Sequence, residues 1–195
     1  AAKRSAVGKS SRGGLRFLRP DDMAAQVIQA LMAELPMLET NSIDDVIVGN
    51  AMPEAEQGLN VGRLISLLGL NTVDVPGMTV NRYCSSGLET IAIATAKIRA
   101  GMADVIIAGG TESMSYIPMG GWKVTPNYGI TKDHIDWYNN MGLTAEAVAE
   151  KYKVSREDQD AFALRSHQKA LAAIAEGKFK NEIVPLSIEY THLNA

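Results

Sequence analysis

Residues 78–101 read MTVNRYCSSGLETIAIATAKIRAG, and this stretch decides the fold class that the sequence predicts. The apolar run before Cys84 predicts a strand that ends at Tyr83. The small residues after it predict a helix over Ser85–Ala100. The only cysteine of the chain therefore lies where a strand gives way to a helix, at the carboxyl edge of a sheet.

The preceding and following segments repeat this alternation of helix and strand. Apolar residues at helical spacing predict helices at Asp21–Leu35 and Asn60–Leu70. Short apolar runs predict strands at Ile43–Asn50 and Ala103–Ala108. The alternation indicates an α/β fold with a mostly parallel sheet flanked by helices. We expect both faces of the strands to be covered and the apolar helix 85–100 to be buried.

The composition and the hydrophobic pattern of the sequence change after Gly110. Residues 113–142 are rich in Met, Gly, Pro and aromatic residues and fit no period, which is typical of an irregular functional segment. Helices are predicted again from Thr144 and over Ser155–Glu176. We therefore expect a boundary near Ser113, between an α/β core and a helical, loop-rich subdomain.

The helix predicted over residues 155–176 has a start signal and an apolar stripe. Ser155 and Asp158 have the spacing of a capping box, with Asp in place of the usual Glu. We expect four apolar side chains to form its buried stripe: Phe162, Ala170, Ala173 and Ile174.

Composition narrows the possible functions. The chain has 195 residues, 46% of them hydrophobic and 21% charged, and a net charge of −3, which does not favour nucleic acid or acidic membranes. One cysteine excludes an internal disulfide framework and a cysteine-rich zinc site. No apolar run is long enough to span a bilayer, and there is no signal peptide, so we expect an intracellular protein without membrane insertion.

The first 19 residues hold six basic residues and no acid. Their glycines indicate a loop rather than an amphipathic targeting helix. This segment is either a solvated loop or a loop that holds a phosphorylated ligand. The chain contains neither a dinucleotide-binding glycine motif nor a P-loop, and its scattered histidines do not form a metal site.

The predicted position of Cys84 suits a nucleophile. The unpaired N–H groups and the positive end of a helix dipole favour the thiolate over the thiol. Ser85, Ser86 and Gly87 keep the turn small, leaving room for a substrate carbonyl, and the backbone N–H groups there could hold an oxyanion. The alternative is that Cys84 is a small core residue, a common fate of free cysteine.

Several ordered motifs resemble those of the thiolases, which act on acyl-coenzyme A. VNRYCSSGLETIAIA followed by AGGTESMS is similar to the active-site segment of that family. KRSAVGKSSRGG resembles its N-terminal loop, with Ser5-Ala6 in place of Thr-Pro. NNMGLTAEAVAEKY and SREDQDAFALRSHQKALAAIAEGKFKNEIVP resemble its loop domain. The resemblance implies an N-terminal thiolase α/β domain at 1–112 with a truncated first strand, and a C-terminally truncated loop domain at 113–195.

The resemblance also implies a reaction. Cys84 would attack the keto carbonyl of a 3-ketoacyl-CoA, release acetyl-CoA and form an acyl-enzyme that coenzyme A resolves. The backbone N–H of Cys84 would contribute to an oxyanion hole. Met141 and Gly142 would line the pantetheine and acyl channel. Coenzyme A and acyl-CoA would be substrates, with no tightly bound cofactor and no metal.

Other family motifs are absent from these residues. The G-H-P histidine, the C-x-G cysteine and the N-E-A-F asparagine have no counterpart. We expect the three histidines, His134, His167 and His192, to be surface or structural residues. A fragment that lacks the second thiolase half is the simplest interpretation. The alternative is a non-catalytic acyl-CoA-binding or lipid-binding module.

The substrate subclass depends on fewer residues. Short-chain acetoacetyl-CoA thiolases carry His where this chain has Asn140, and SYIPMGGW favours the degradative 3-ketoacyl-CoA thiolases of β-oxidation. A biosynthetic acetoacetyl-CoA thiolase is the alternative, while the loop-domain match at Thr144–Pro185 argues against a ketosynthase-like protein. The family implies a homodimer or dimer of dimers through the MTVNRY strand. We expect a bacterial cytoplasmic location, or an organellar matrix if a targeting segment was removed.

Overall fold

The computed structural model describes residues 1–188, which form two compact units. The first unit comprises residues 1–123 together with the described residues from Glu182 onward, and the second comprises Val124–Asn181. The first unit therefore contains Cys84, and the second contains Met141 and Gly142.

The two compact units divide after Lys123, whereas the sequence predicts a domain boundary near Ser113. A compact unit is defined by packing, while a family domain is defined by descent, so the two boundaries need not coincide. The assignment of residues 1–112 and 113–195 to two thiolase domains stays a prediction.

A three-stranded parallel sheet forms the centre of the first unit. Its strands are β1 (Asp45–Gly49), β2 (Gly77–Val80) and β3 (Ile106–Gly110), in the order β2-β1-β3. The β-branched residues of β1 lie in the middle of the sheet, and all five residues of that strand are buried. The parallel α/β arrangement predicted from the sequence is confirmed.

Three helices connect and flank these strands: α1 (Pro20–Ala33), α2 (Val61–Leu70) and α3 (Ser86–Arg99). Proline at the first helical position fits the start of α1, because its fixed φ is helical and its missing N–H would have no helical partner. Apolar side chains of α1 and α2 meet the sheet in one core cluster: Ile28, Ile43, Val46, Val48, Val61, Ile65, Leu70 and Val75. Gly62 lets α2 approach β2 closely, since a Cβ there would collide with the backbone of Met78.

The second unit is helical. Its helices are α4 (Tyr128–Asp133), α5 (Met141–Tyr152) and α6 (Arg156–Ala175). The predicted start of α6 is confirmed, because Ser155 Oγ accepts the Asp158 N–H at 3.1 Å. The Asp158 carboxylate bonds the Ser155 hydroxyl at 2.9 Å, so it completes the cap through the side chain.

Three predictions about burial are wrong. In α3 only Ser86, Thr90 and Ala94 are buried, because one face packs on the sheet while no other described element of the first unit covers the opposite face. None of the described residues of α6 is buried. Of the predicted stripe, Ala173 is half-buried and the other three residues are exposed, with Phe162 at 65%. The strands were also predicted to be covered on both faces. This is true of β1 alone, since β2 and β3 are largely half-buried.

Strand β2 ends three residues earlier than predicted. The sequence indicates a strand as far as Tyr83, but the structure ends it at Val80. The Asn81 side chain explains the difference, because its Oδ1 accepts the Tyr83 N–H at 2.8 Å and turns the backbone.

Candidate active site

Two glycines bring the amino end of α3 onto the carboxyl edge of the sheet. A Cβ at Gly49, the last residue of β1, would collide with the backbone of Ser86 and Gly87. A Cβ at Gly110, the last residue of β3, would lie 3.4 Å from Gly87 Cα. The close approach of α3 therefore requires glycine at position 49. At Gly110 a Cβ would be at contact distance from α3 and only 3.2 Å from the Gly49 carbonyl oxygen.

Cys84 lies in that turn and is exposed. Ser85 is the N-cap of α3, so the cysteine directly precedes the cap. Tyr83 has a φ of 46°, in the left-handed region that residues with a Cβ rarely adopt. The alternative that Cys84 is a small core residue is wrong, since the turn holds it at the surface.

Hydrogen bonds occupy most of the backbone around Cys84. The Arg82 N–H donates to Ser86 Oγ at 2.8 Å, and the Ser85 N–H donates to the Arg82 carbonyl at 3.1 Å. Within residues 1–188, however, no hydrogen bond takes up the N–H of Cys84. A Cβ added at Gly87 would meet no atom within 4 Å. The turn therefore offers a thiol, an available amide and open space at one place.

Arg82 and Glu89 close the outer side of the turn. Arg82 Nε lies 2.8 Å from Glu89 Oε2, and Arg82 Nη2 lies 3.1 Å from Glu89 Oε1. This two-point pair joins the turn to the first helical turn of α3. It also neutralises Arg82, so this arginine is not a ready anion site beside Cys84.

A buried polar network supports the same edge of the sheet, and sequence reasoning missed it. Gln57 is fully buried; its Nε2 donates to Glu112 Oε1 at 2.7 Å, and its Oε1 accepts the Ser113 N–H at 2.6 Å. Glu112 Oε2 accepts the Ala51 N–H at 2.7 Å. The Ala51 carbonyl in turn accepts from Asn81 Nδ2 at 3.1 Å. The available signal was a set of polar residues directly after two strands, in GN at 49–50 and GGTES at 109–113.

Met141 and Gly142 lie at the amino end of α5 in the second unit. Met141 is 63% exposed, and the preceding Asn140 caps the helix by accepting the Leu143 N–H at 2.9 Å. An exposed methionine at a helix start is compatible with a ligand contact. The assignment of both residues to a pantetheine and acyl channel stays a prediction.

The described histidines lie outside the first unit. His134 is exposed and stacks on Trp137, with ring centroids 4.1 Å apart. His167 is on the exposed surface of α6. Both agree with the expected surface or structural role, and His192 lies outside the described residues. Across residues 1–188 no group of three or more His, Cys, Asp or Glu side chains is placed to hold a metal ion.

Half of the basic residues near the amino end are paired with acids. Lys3 Nζ lies 2.5 Å from Glu34, Arg4 Nε lies 2.7 Å from Glu182, and Arg19 Nη2 lies 2.9 Å from Asp21. The bond to Asp21 is the main reason that the pKa of Arg19 is raised above its ordinary value. These pairs favour a structural role for that part of the segment. In the part of the chain that the structure describes, no helix is both long and apolar enough to cross a bilayer.

Comparison with known proteins identifies the family of this chain. Residues 1–193 match the model of the thiolase N-terminal domain. The chain is 52% identical over 190 residues to a 3-ketoacyl-CoA thiolase of Bacillus subtilis (strain 168), covering 97% of this chain and 48% of that protein. It is 40% identical over 186 residues to a 3-ketoacyl-CoA thiolase of Cronobacter sakazakii (strain ATCC BAA-894), covering 95% and 48%. The chain thus spans about half the length of the curated relatives it matches.

The fold and the turn define an α/β protein with an exposed cysteine between a strand and a helix at the carboxyl edge of a parallel sheet. The chain belongs to the thiolase family, and it matches the N-terminal domain of that family over nearly its full length.

Proposed function

We propose that the protein carrying this chain is a 3-ketoacyl-CoA thiolase, an acetyl-CoA C-acyltransferase in which Cys84 is the nucleophile. The observation that carries the proposal is the exposed thiol of Cys84, held by a left-handed turn directly before α3. Membership of the thiolase family supports it, as do relatives that bear this name.

The reaction requires two acyl transfers. The Cys84 thiolate attacks the keto carbonyl of the 3-ketoacyl-CoA and forms a tetrahedral oxyanion, which the Cys84 N–H is free to stabilise. The oxyanion collapses and breaks the bond between C2 and C3. The C2 carbanion takes a proton and leaves as acetyl-CoA, while the shortened acyl group stays on Cys84 as a thioester. The thiol of coenzyme A then attacks this thioester, releases the shortened acyl-CoA and regenerates Cys84.

Proton transfer needs groups beyond the turn. A base must take the thiol proton of Cys84, and an acid must protonate the departing carbanion. The described first unit contains no histidine, and the chain contains no second cysteine. We propose that both groups come from parts of the protein other than this unit.

The substrate is proposed to be a 3-ketoacyl-CoA of fatty-acid degradation rather than acetoacetyl-CoA made for biosynthesis. Asn140 in place of the histidine of short-chain thiolases supports this choice, as do relatives named 3-ketoacyl-CoA thiolase. Rates measured over a series of acyl-chain lengths test it. A preference confined to acetoacetyl-CoA would favour the biosynthetic alternative.

Covalent acylation is the direct test of the enzyme. The complete protein is incubated with acetyl-CoA and examined by intact-protein and peptide mass spectrometry. We expect an acetyl increment on Cys84, no increment in Cys84→Ala, and loss of thiolysis on the order of a thousandfold or more in that variant. Acyl-CoA binding without an increment would indicate the non-catalytic binding module instead.

We propose coenzyme A and acyl-CoA as exchanging substrates without a tightly bound cofactor, and a cytoplasmic location, which the bacterial relatives support. We also propose a homodimer or a dimer of dimers. The outer edge of β2 supports this proposal, because β2 is at the end of the described sheet and its edge can pair with another strand. Sedimentation equilibrium of the complete protein tests the assembly.

A further inference from the structure

The buried side chain of Ser86 closes the turn that carries Cys84. Ser86 is 3% exposed, so its hydroxyl has to find partners within the protein. Its Oγ accepts the Arg82 N–H at 2.8 Å and donates to the Tyr83 carbonyl at 2.6 Å. The two residues before the cysteine are thereby tied to the first residue of α3.

The residue that these bonds restrain is in an unfavourable conformation. Tyr83 has a φ of 46°, and a bulky residue with a Cβ stays in the left-handed region only when its surroundings hold it there. Its N–H donates to Asn81 Oδ1 at 2.8 Å. Its carbonyl accepts both the Ser86 hydroxyl and the Ser86 N–H, the latter at 3.0 Å. Three hydrogen bonds therefore hold the N–H and the carbonyl of Tyr83, the residue directly before Cys84.

We propose that Ser86 is a positioning residue for acyl transfer at Cys84, and that Asn81 supports the same turn. This inference rests on the proposed thiolase function. The turn determines where the Cys84 sulfur and the Cys84 N–H lie relative to a substrate carbonyl. A displacement of about 1 Å at a reacting centre is enough to slow a reaction on the order of a hundredfold.

Ser66 provides a matched control. It is also fully buried, and its Oγ donates to the Val75 carbonyl at 2.8 Å. It lies on α2 and makes no hydrogen bond to residues 81–86 among the described residues. Ser66→Ala and Ser86→Ala therefore each remove a buried hydroxyl that bonds a backbone carbonyl, but only Ser86→Ala releases the turn.

The experiment compares the complete wild-type protein with Ser86→Ala and Ser66→Ala. It measures the rate of Cys84 acetylation by acetyl-CoA, the KM for acyl-CoA, alkylation of Cys84 by iodoacetamide, and Tm. For Ser86→Ala we expect acetylation to fall about 10- to 100-fold while KM stays within about threefold. Alkylation stays within about threefold, because it needs an exposed thiol and not an aligned carbonyl. In Ser66→Ala we expect the rate of Cys84 acetylation to stay within about twofold of the wild-type rate, although the Tm of this variant also falls.

Acetylation of Ser86→Ala at the wild-type rate, or an equal loss in Ser66→Ala, would overturn the positioning role and leave the thiolase function intact. Failure of the wild type to acetylate at Cys84 would overturn the thiolase function itself, and the positioning role with it.

If Ser86→Ala does not fold, the exposed Asn81 gives an independent test. We expect Asn81→Ala to slow acetylation about 3- to 10-fold. Asn81→Ser keeps a neutral oxygen that can accept the Tyr83 N–H in the same kind of turn, so it should restore most of the rate. Equal rates for the wild type and both variants would contradict the proposal.

Discussion

Asp44 shows how a single carboxylate can determine where a strand begins. Its Oδ2 accepts the N–H of Val105 at 2.9 Å and the N–H of Asp104 at 2.7 Å. The bond from the Val105 N–H has the larger effect, and together the two bonds hold the pKa of Asp44 below its ordinary value. They also explain why β3 begins at Ile106 and not at Ala103 as the sequence indicates, because they divert the backbone amides of the intervening residues from the sheet.

The lowered pKa of Asp44 predicts a pH dependence of stability. A carboxyl whose pKa is lower in the folded state stabilises the fold at neutral pH, and this contribution disappears as the pH falls through the folded-state pKa. We expect Asp44→Asn to have a lower Tm than the wild type at pH 7. The difference should shrink as the pH falls below the ordinary value of about 3.9, because protonated Asp44 resembles Asn. Thermal unfolding between pH 7 and pH 3 measures it.

Asp104→Asn serves as the control for that prediction. It makes the same change of charge one residue from Val105, and its side chain is exposed while its N–H stays available to Asp44. A fall in Tm at pH 7 that is equal in both variants would point to net charge instead of the hydrogen bonds of Asp44.

At the scale of elements, the contact between α3 and β1 depends on Gly49. A Cβ at this position would overlap the backbone of Ser86, so the helix would have to move away from the strand. We expect Gly49→Ala to lower the free energy of unfolding by about 1–3 kcal/mol, and to slow Cys84 acetylation because the turn moves with the helix. Urea denaturation and acetylation of the complete protein measure the two effects.

Gly109 is the matched control for Gly49. It is also a strand glycine, but a Cβ there would meet no atom within 4 Å. Gly109→Ala should change the free energy of unfolding by no more than about 0.5 kcal/mol. Equal destabilisation by both substitutions would show that the close approach of α3 is not what makes Gly49 necessary.

The elements also show how far sequence reasoning reaches. Strand β1 and helix α1 were predictable, because a continuous apolar run and a helical apolar stripe each reflect the environment that the residues occupy. The position of Cys84 before a helix was predictable for the same reason. The network of Gln57, Glu112 and Ser113 was not, because its partners lie 55 and 56 residues apart and no local pattern connects them.

The errors of prediction have a common physical cause at this scale. Apolar residues at helical spacing show that a face avoids water, but they do not show which element covers it. In α3 and α6 most of the side chains predicted to be buried are exposed: Ile91 of α3 is 52% exposed and Ile174 of α6 is 64% exposed. Periodicity therefore identified α3 and α6 as helices but not what covers them. It also missed α4 (Tyr128–Asp133), which lies in the segment 113–142 that was predicted to be irregular.

At the scale of the whole molecule, the outer face of α3 exposes apolar side chains to water because no described element of the first unit covers it. Leu88 is 71% exposed, Ile91 is 52% exposed and Ile98 is 43% exposed, and they share one side of the helix. Contiguous apolar surface of this kind promotes association in water. The 195-residue chain alone should therefore self-associate as its concentration rises.

A charge on this face should weaken that association. Burial of an isoleucine side chain stabilises a contact by about 1.5–3 kcal/mol, so Ile91→Lys should raise the dissociation constant about 10- to 100-fold. Asn41→Lys is the control, because it adds the same charge at an exposed position outside α3. Sedimentation velocity over a series of concentrations measures the constants. A chain that stays monomeric at high micromolar concentration, or equal constants for the two variants, would show that the outer face of α3 does not drive association.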